Sequence, residues 1–561
     1  MKILPRVLFA AALTAATTSC DNFLDINENP NAFRESTVTP DVVLAQALST
    51  TAANYTGNNP SYNSYASWVA GYWTKTNTVS GYGEEQTYNY STSYYAGLFD
   101  NTYDNLNDYN IIQTRGIASG YPNHAAIARI MKAYNFLLLV DQYGDIPYSQ
   151  ALQGQGNVTP KYDKAADIYK DLLVQLSGAI TDIDAAAKDQ TARLVSTEDI
   201  VFAGNMTKWK QFANSLKLRI LLRESQTGNS AIDSDVNTQL KALQTAPDGF
   251  ITSDVVVQPG YAPNSNQQNP LFNRYAYTVA GTSATERNYQ VPTQYVLDQY
   301  VNNNDPRVSQ LYTMGARVVN GATVREYVGG VLGEASPPAT GTATATTRQA
   351  SRFRGAETTT PGAATPGGIF KGLTAPTPLM LLSEHLFNKA EAETRGLFDG
   401  GDATAKTDYL NAVKASFVYF YRPASASLGE INATTLDAVT TATPGVAQYN
   451  TFISTTDANG SNAKNPLVNF DEAATNGNLG KQAIIIYQKY LALNSIASVE
   501  AWDDYRRTGL PRFPASIQSA SARPDKLPTR LLYPLNELST NSANVPGGIN
   551  QYNKIFWDVV D

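Results

Sequence analysis

WKQFANSLKLRILLR, residues 209–223, decides how the chain folds. Trp209, Phe212, Ala213, Leu216 and Ile220 recur at the three- and four-residue intervals of one face of an α-helix. Arg219 and Arg223 fall outside that stripe, which predicts that they form the helix's solvated side or cap its end.

The same periodicity continues outward in both directions. Ile127, Ile130, Met131, Tyr134, Leu137, Leu138 and Asp141 share a face, and Gly144 stops that helix. Tyr169, Leu172, Leu173, Leu176, Ala179 and Ile180 repeat the pattern before the block, and Leu379, Leu382, Leu386 and Ala390 repeat it after. Helices of about 15 to 22 residues joined by short turns predict stacked antiparallel pairs of the tetratricopeptide kind. No clean repeat of about 34 residues runs through the chain, so that prediction rests on the helix pattern alone.

Farther out, Thr39-Pro40 reads as a cap residue followed by a first-turn proline, the start of a helix. Residues 55–92 are rich in Gly, Asn, Ser and aromatics and predict loops with short helical turns. Between about 250 and 370 the character changes. Val255 to Gln258 and the stretch from Val318 to Leu332 predict short strands. Ala335 to Gly368 is Thr, Ala, Pro and Gly, and predicts a long surface loop. Helices return at 377–396, 403–420 and 479–505. The expected fold is mainly α: a scaffold of helix pairs with a loop-rich insert containing short strands.

Composition narrows function. The net charge is −7, which argues against a general nucleic-acid binder. Two histidines, His124 and His385, exclude a multi-histidine metal site by count. The single cysteine, Cys20, has no partner for an internal disulfide. It follows a short basic start (Lys2, Arg6), an apolar run from Val7 to Ala16 and small residues at 17–19. That run is too short to span a bilayer and suits a secretory signal. A cut before Cys20 predicts a bacterial lipoprotein, with residues 1–19 removed and the thiol carrying diacylglycerol. Acylation of the new amine, with a chain such as palmitate, would complete a stable anchor. Residues 20–38 then form a tether and 39–561 a single body.

Catalytic signatures fail. Gly154-Gln155-Gly156 begins a dinucleotide motif that Thr159 ends, and no phosphate loop or GxSxG turn is present. Asp25, Asn27 and Asn29 mimic a calcium loop, but Pro30 and Ser36 stand where Gly and Glu are needed. Asp503 and Asp504 could make a glycosidase couple, yet Arg506 and Arg507 beside them favour structural ion pairs. No metal or cofactor is expected.

Eight stretches, in order, resemble one family: CDNFLDINENPN from Cys20, DQYGDIPYSQA at 141–151, PKYDKAADIYKDLLVQL at 160–176, the opening block, NDPRV at 304–308, SEHLFNKAEAETRG at 383–396, EAWDDYRRTGLP at 500–511 and RLLYPLNE at 530–537. The chain resembles the SusD/RagB outer-membrane nutrient-binding lipoproteins of Bacteroidetes, especially the SusD-like branch. The resemblance implies tetratricopeptide-like helix pairs and a loop-rich half carrying the ligand site. It implies a non-enzymatic, surface-exposed protein that captures oligosaccharides. Its implied partner is a SusC-type TonB-dependent transporter, over which it closes as a lid. Peptide cargo, as in RagB-type members, is the alternative, and a surface glycoside hydrolase is a third reading.

The motif stretches read as structural, with Gly144 and Pro147 shaping a turn. Ligand contacts are expected in the aromatic loops, because sugar C–H faces stack on Trp and Tyr while hydroxyls need amides and carboxylates. Trp68, Tyr72, Trp73, Asn77 and Tyr82 offer both, as do Tyr261, Asn264, Asn266, Tyr275 and Tyr277 in the insert.

Overall fold

A computed structural model describes residues 38–356, 367–423, 442–454, 469–471 and 480–560. The signal, Cys20 and all of the tether but Val38 lie outside the described residues. The fold is mainly α. Helix α1 (Pro40–Thr56) starts where Thr39-Pro40 predicts, with Pro40 in the first turn. Then come α2 (Tyr62–Val69), strand β1 (Trp73–Lys75), α3 (Gly83–Thr87), α4 (Gly97–Ala118) and α5 (Pro122–Tyr143). Gly144, at φ 73°, ends α5 in a conformation that glycine adopts without steric cost. The scaffold continues with α6 (Ala165–Ala186), α7 (Met206–Arg223) and α8 (Ser230–Gln244). From α4 to α8 each helix packs on the next, which is the predicted stack.

The insert holds β4 (Val255–Val257), α9 (Pro270–Tyr275), β5 (Gln290–Pro292), α10 (Gln294–Val301), α11 (Val308–Leu311) and the hairpin β6 (Gly315–Val319)–β7 (Ala322–Glu326). Preceding β4, β2 (Ile146–Pro147) pairs with β3 (Tyr162–Asp163). Residues 335–356 take no helix or strand, but they are not all surface. Ser351 and Phe353 are buried, because Tyr312 and Thr313 pair with this segment and draw it inward.

Two expected helices differ. Residues 377–380 form β8 (Thr377–Met380), antiparallel to β4, and α12 (Leu382–Thr394) begins only after it. Next come α13 (Gly401–Tyr421) and α14 (Val446–Ser454). The run at 479–505 is two helices, α15 (Lys481–Leu493) and α16 (Ser498–Thr508). Ser495 breaks it at φ 61°, while the Asn494 amide donates to the hydroxyls of Tyr300 and Tyr312. A last short helix, α17, spans Leu535–Thr540.

The main core runs through α1, α2, α4–α8, α15 and α16, and a smaller one joins α12 to α15. Where α5, α7, α12 and α16 meet, the core is ionic, and here the arginine expectation is corrected. Arg219 and Arg223 are 3% exposed, not solvated. Arg219 bonds Glu384 at 2.8 and 3.0 Å and lies 3.2 Å from Glu500. Arg223 pairs with Asp141, Glu500 and Asp503, and Arg506 also pairs with Asp503. Beside this cluster, Arg507 joins Glu391 to Asp504, and Lys489 bonds Asp504 at 2.8 Å. Buried charges persist only when paired this fully. Three arginines face four carboxylates in the first cluster. Burial pushes Asp141 and Glu384 above the usual carboxylate range.

Candidate functional site

β1 pairs antiparallel with β5 in the register Trp73↔Pro292, Thr74↔Val291, Lys75↔Gln290. This pairing brings the loop after β1 against the loop before β5. Thr76 and Thr78 both donate to the Asn288 carbonyl, at 2.7 and 3.0 Å. The Asn77 backbone N–H donates to the Pro338 carbonyl at 3.1 Å, leaving its side chain exposed.

Tyr82 closes the site from the other side. Its half-buried ring lies 4.6 Å from Trp68, tilted by 31°. Its hydroxyl donates to Glu286 at 3.0 Å and accepts from the Gln290 amide at 2.7 Å. Glu286 also takes Arg274 and, at 3.3 Å, the Asn59 amide. Burial and the Glu286 charge raise the Tyr82 hydroxyl well above its ordinary value. Burial likewise pushes neighbouring Glu85 up to about 7.

The backbone here is strained. Tyr82, Tyr88 and Tyr95 have φ of 66°, 54° and 52°, a left-handed conformation uncommon for bulky residues. Each costs on the order of 1 kcal/mol or more and must be held by its surroundings. The Tyr82 hydroxyl is held as above, the Tyr88 hydroxyl accepts from the Ser516 N–H at 3.1 Å, and Tyr95 packs on Tyr65 and Tyr94.

The structure divides the predicted contacts. Asn77 and Tyr82 reach the surface of the loop face. Trp68, Tyr72, Trp73, Tyr275 and Tyr277 are buried, and their expected free ring faces are corrected to core packing. Tyr72 stacks on Tyr490 at 4.4 Å and donates to its carbonyl. Trp73 packs edge-on against Tyr275 and Phe353, and its indole N–H donates to Ser495. The cause is the β1–β5 pairing, which turns these rings toward α15 and the break after it. Half-buried Tyr261 bonds Thr377, exposed Asn264 bonds Gln267, and Asn266 is exposed. Their hydrogen bonds do not reach the Tyr82 group.

Sequence reasoning missed Glu286, Asn288 and Gln290. The stretch ERNYQVP, at 286–292, interleaves charged, amide and aromatic side chains just before a short apolar segment. That is the same mixture that marked 68–82.

No catalytic pair emerges at Asp503 and Asp504. Each is buried and tied to arginine or lysine. Among the described residues no group of three or more His, Cys, Asp or Glu could hold a metal ion. No helix among them is long and apolar enough to cross a membrane.

Residues 30–534 match the family model SusD-like, described as starch-binding and associating with the outer membrane. The chain belongs to the SusD-like family. Solved structures share this SusD-like fold. A SusD homologue from Parabacteroides distasonis is 18% identical with a TM-score of 0.67, covering 93% of this chain and 98% of that one. A SusD/RagB family protein from Bacteroides thetaiotaomicron is 20% identical with a TM-score of 0.63, covering 94% and 100%. A chitin-binding protein is 22% identical with a TM-score of 0.64, covering 93% and 100%. No curated protein matches the chain. SusD-like membership thus makes this a relative of carbohydrate-binding, outer-membrane-associated proteins.

Proposed function

We propose that this chain is a non-catalytic, surface-exposed lipoprotein that captures oligosaccharides and delivers them to a SusC-type TonB-dependent transporter, acting as its lid. The observation that carries the reading is the Tyr82 site on a SusD-like fold. A half-exposed ring backed by Trp68 bonds the Glu286–Gln290 pair, and the exposed Asn77 amide lies in the loop whose Thr76 and Thr78 bond the Asn288 carbonyl. A flat ring next to fixed donors and acceptors is what a pyranose needs.

Cys20 is the proposed anchor. With the lipid in place, protein and transporter share one membrane plane at high effective concentration. Full-length protein extracted in mild detergent is expected to bring down one large β-barrel in near-equal amount and to bind starch oligosaccharides. Cys20→Ala is expected to release it from membranes. Binding of a peptide pool instead of glycans replaces the cargo. Glycan hydrolysis by the purified protein overturns the non-catalytic reading, and purification alone under several gentle conditions overturns the lid.

A further inference from the structure

A cavity of about 270 Å³ opens on the helical scaffold between α4, α5 and α6. None of its lining residues belongs to the loop face described above. Three residues of α5 point into it along one helix face at the i, i+3, i+7 spacing: Arg129, Lys132 and Phe136. Asn110 of α4, Tyr148 and Gln175 of α6 complete the polar wall.

The two cations are in different states. Arg129 donates through Nε to Gln175 and through Nη1 to Asp182, both at 2.8 Å, so its charge is balanced. Lys132 has no carboxylate in ion-pair reach among the described residues. Its one protein acceptor is the Asn110 amide oxygen at 2.9 Å, which leaves donor capacity unused. Burial and the Arg129 charge lower it to about 8. Asp171 stands behind the wall, accepting from Gln175 at 3.0 Å and Tyr148 at 2.5 Å.

Gly178, in the interior of α6, fits this arrangement. A Cβ there would lie 2.3 Å from Nη2 of Arg129, so the helix lacks a side chain where the guanidinium crosses it. Nη2 lies on that side, where Gly178, together with Arg129, lines a neighbouring cavity rather than this one.

We infer that this cavity is a second binding site, for a carboxylate-bearing sugar unit of the hexuronate kind. Lys132, the cation of the wall with no ion-pair partner among the described residues, suits a monoanion, and the nearby Asp171 carboxylate disfavours a phosphate dianion. Phe136 and the Tyr148 ring, edge-on at 4.7 Å, supply an apolar wall for the C–H face of a pyranose. The amide oxygens of Asn110 and Gln175, each accepting one bond from Lys132 or Arg129, keep a second lone pair for its hydroxyls.

Calorimetric titration of the full-length protein in detergent tests this, with glucuronate, glucose and inorganic phosphate as probes. Glucuronate is expected to bind at least about five-fold more tightly than either of the others. Lys132→Gln should remove that preference, and Lys132→Arg should retain it. Thermal unfolding should confirm that each variant is folded. Equal affinity for glucose overturns recognition of charge, and equal affinity for phosphate leaves a simple anion site. Absence of glucuronate binding, or binding unchanged by Lys132→Gln, overturns the site.

Discussion

The ionic junction of α5, α7, α12 and α16 and the tyrosine-bearing loop from 82 to 95 are both rich in polar groups, and they use them oppositely. At the junction, arginines and carboxylates face one another and nothing is offered to solvent. In the loop, Tyr82 and Tyr95 are half exposed above the buried Glu85, Tyr88, Tyr90 and Tyr94, and the backbone is held in an unfavourable conformation. Charge that is fully paired fixes architecture. Polarity left partly unused, on a strained backbone, is where a ligand can still gain something.

Substitutions should separate the two regions, beginning at the junction. Arg223→Ala leaves three carboxylates facing a void and is expected to cost about 5 kcal/mol, the upper range for breaking a buried pair. A denaturant titration showing little change would undo the contrast. Trp73→Ala should cost about 3 to 4 kcal/mol in the same assay, because the ring is core rather than platform. If it weakens glycan binding with stability intact, Trp73 returns to the site.

A pH series probes the junction and other buried carboxylates together. Asp141, Glu384, Glu85 and Glu224 all have folded values raised by burial, the last two to about 7. A carboxyl with a raised folded value contributes most below its unfolded value, and that contribution is lost as pH rises through the folded one. Stability should therefore fall between about pH 4.5 and 7 from these groups. Glu391, held low by Arg507, has the opposite sign and is lost on acidification. The melting temperature should peak on the acid side of neutral, and a maximum at pH 8 or above would contradict the assignment of burial as the dominant cause.

At the loop, Tyr82→Ala should weaken glycan affinity by about 1 kcal/mol, and because alanine keeps the Cβ the cost of the positive φ remains. The smallest effect belongs to Asn77→Ala: under about 0.5 kcal/mol in stability, with affinity reduced if its amide meets a hydroxyl.

Local signals were readable where one residue governs one turn. Pro40 at a helix start and Gly144 at a helix end needed no distant information. The apolar stripe from Trp209 to Ile220 placed α7. Arg219 and Arg223 were misplaced for a definite reason. Periodicity treats arginine as a water-facing residue, and what buries Arg223 is a pair of carboxylates 82 and 277 positions away. Trp68, Trp73 and Tyr275 failed likewise: their composition is that of an exposed loop, but Trp73 is turned inward by the pairing of β1 with β5 across more than two hundred residues, and Trp68 and Tyr275 lie on the buried faces of short helices. Tyr82 and Asn77 stayed at the surface because they lie beyond the end of that pairing. The break between α15 and α16 was hidden because Ser495 has no φ preference a reader could use.

The short helix α16 has a kinetic consequence. It carries Asp503, Asp504, Arg506 and Arg507 and packs on α2, α7 and α15. As the chain emerges residue by residue, Arg219 and Arg223 appear long before Glu384, Glu500 and Asp503. Until then α7 carries two cations with one distant partner, Asp141, and cannot settle into a dry interface. Closure of such long loops comes late. The signature block therefore acts as a latch that engages only when nearly the whole chain is available, which keeps the polypeptide pliable while it is being made.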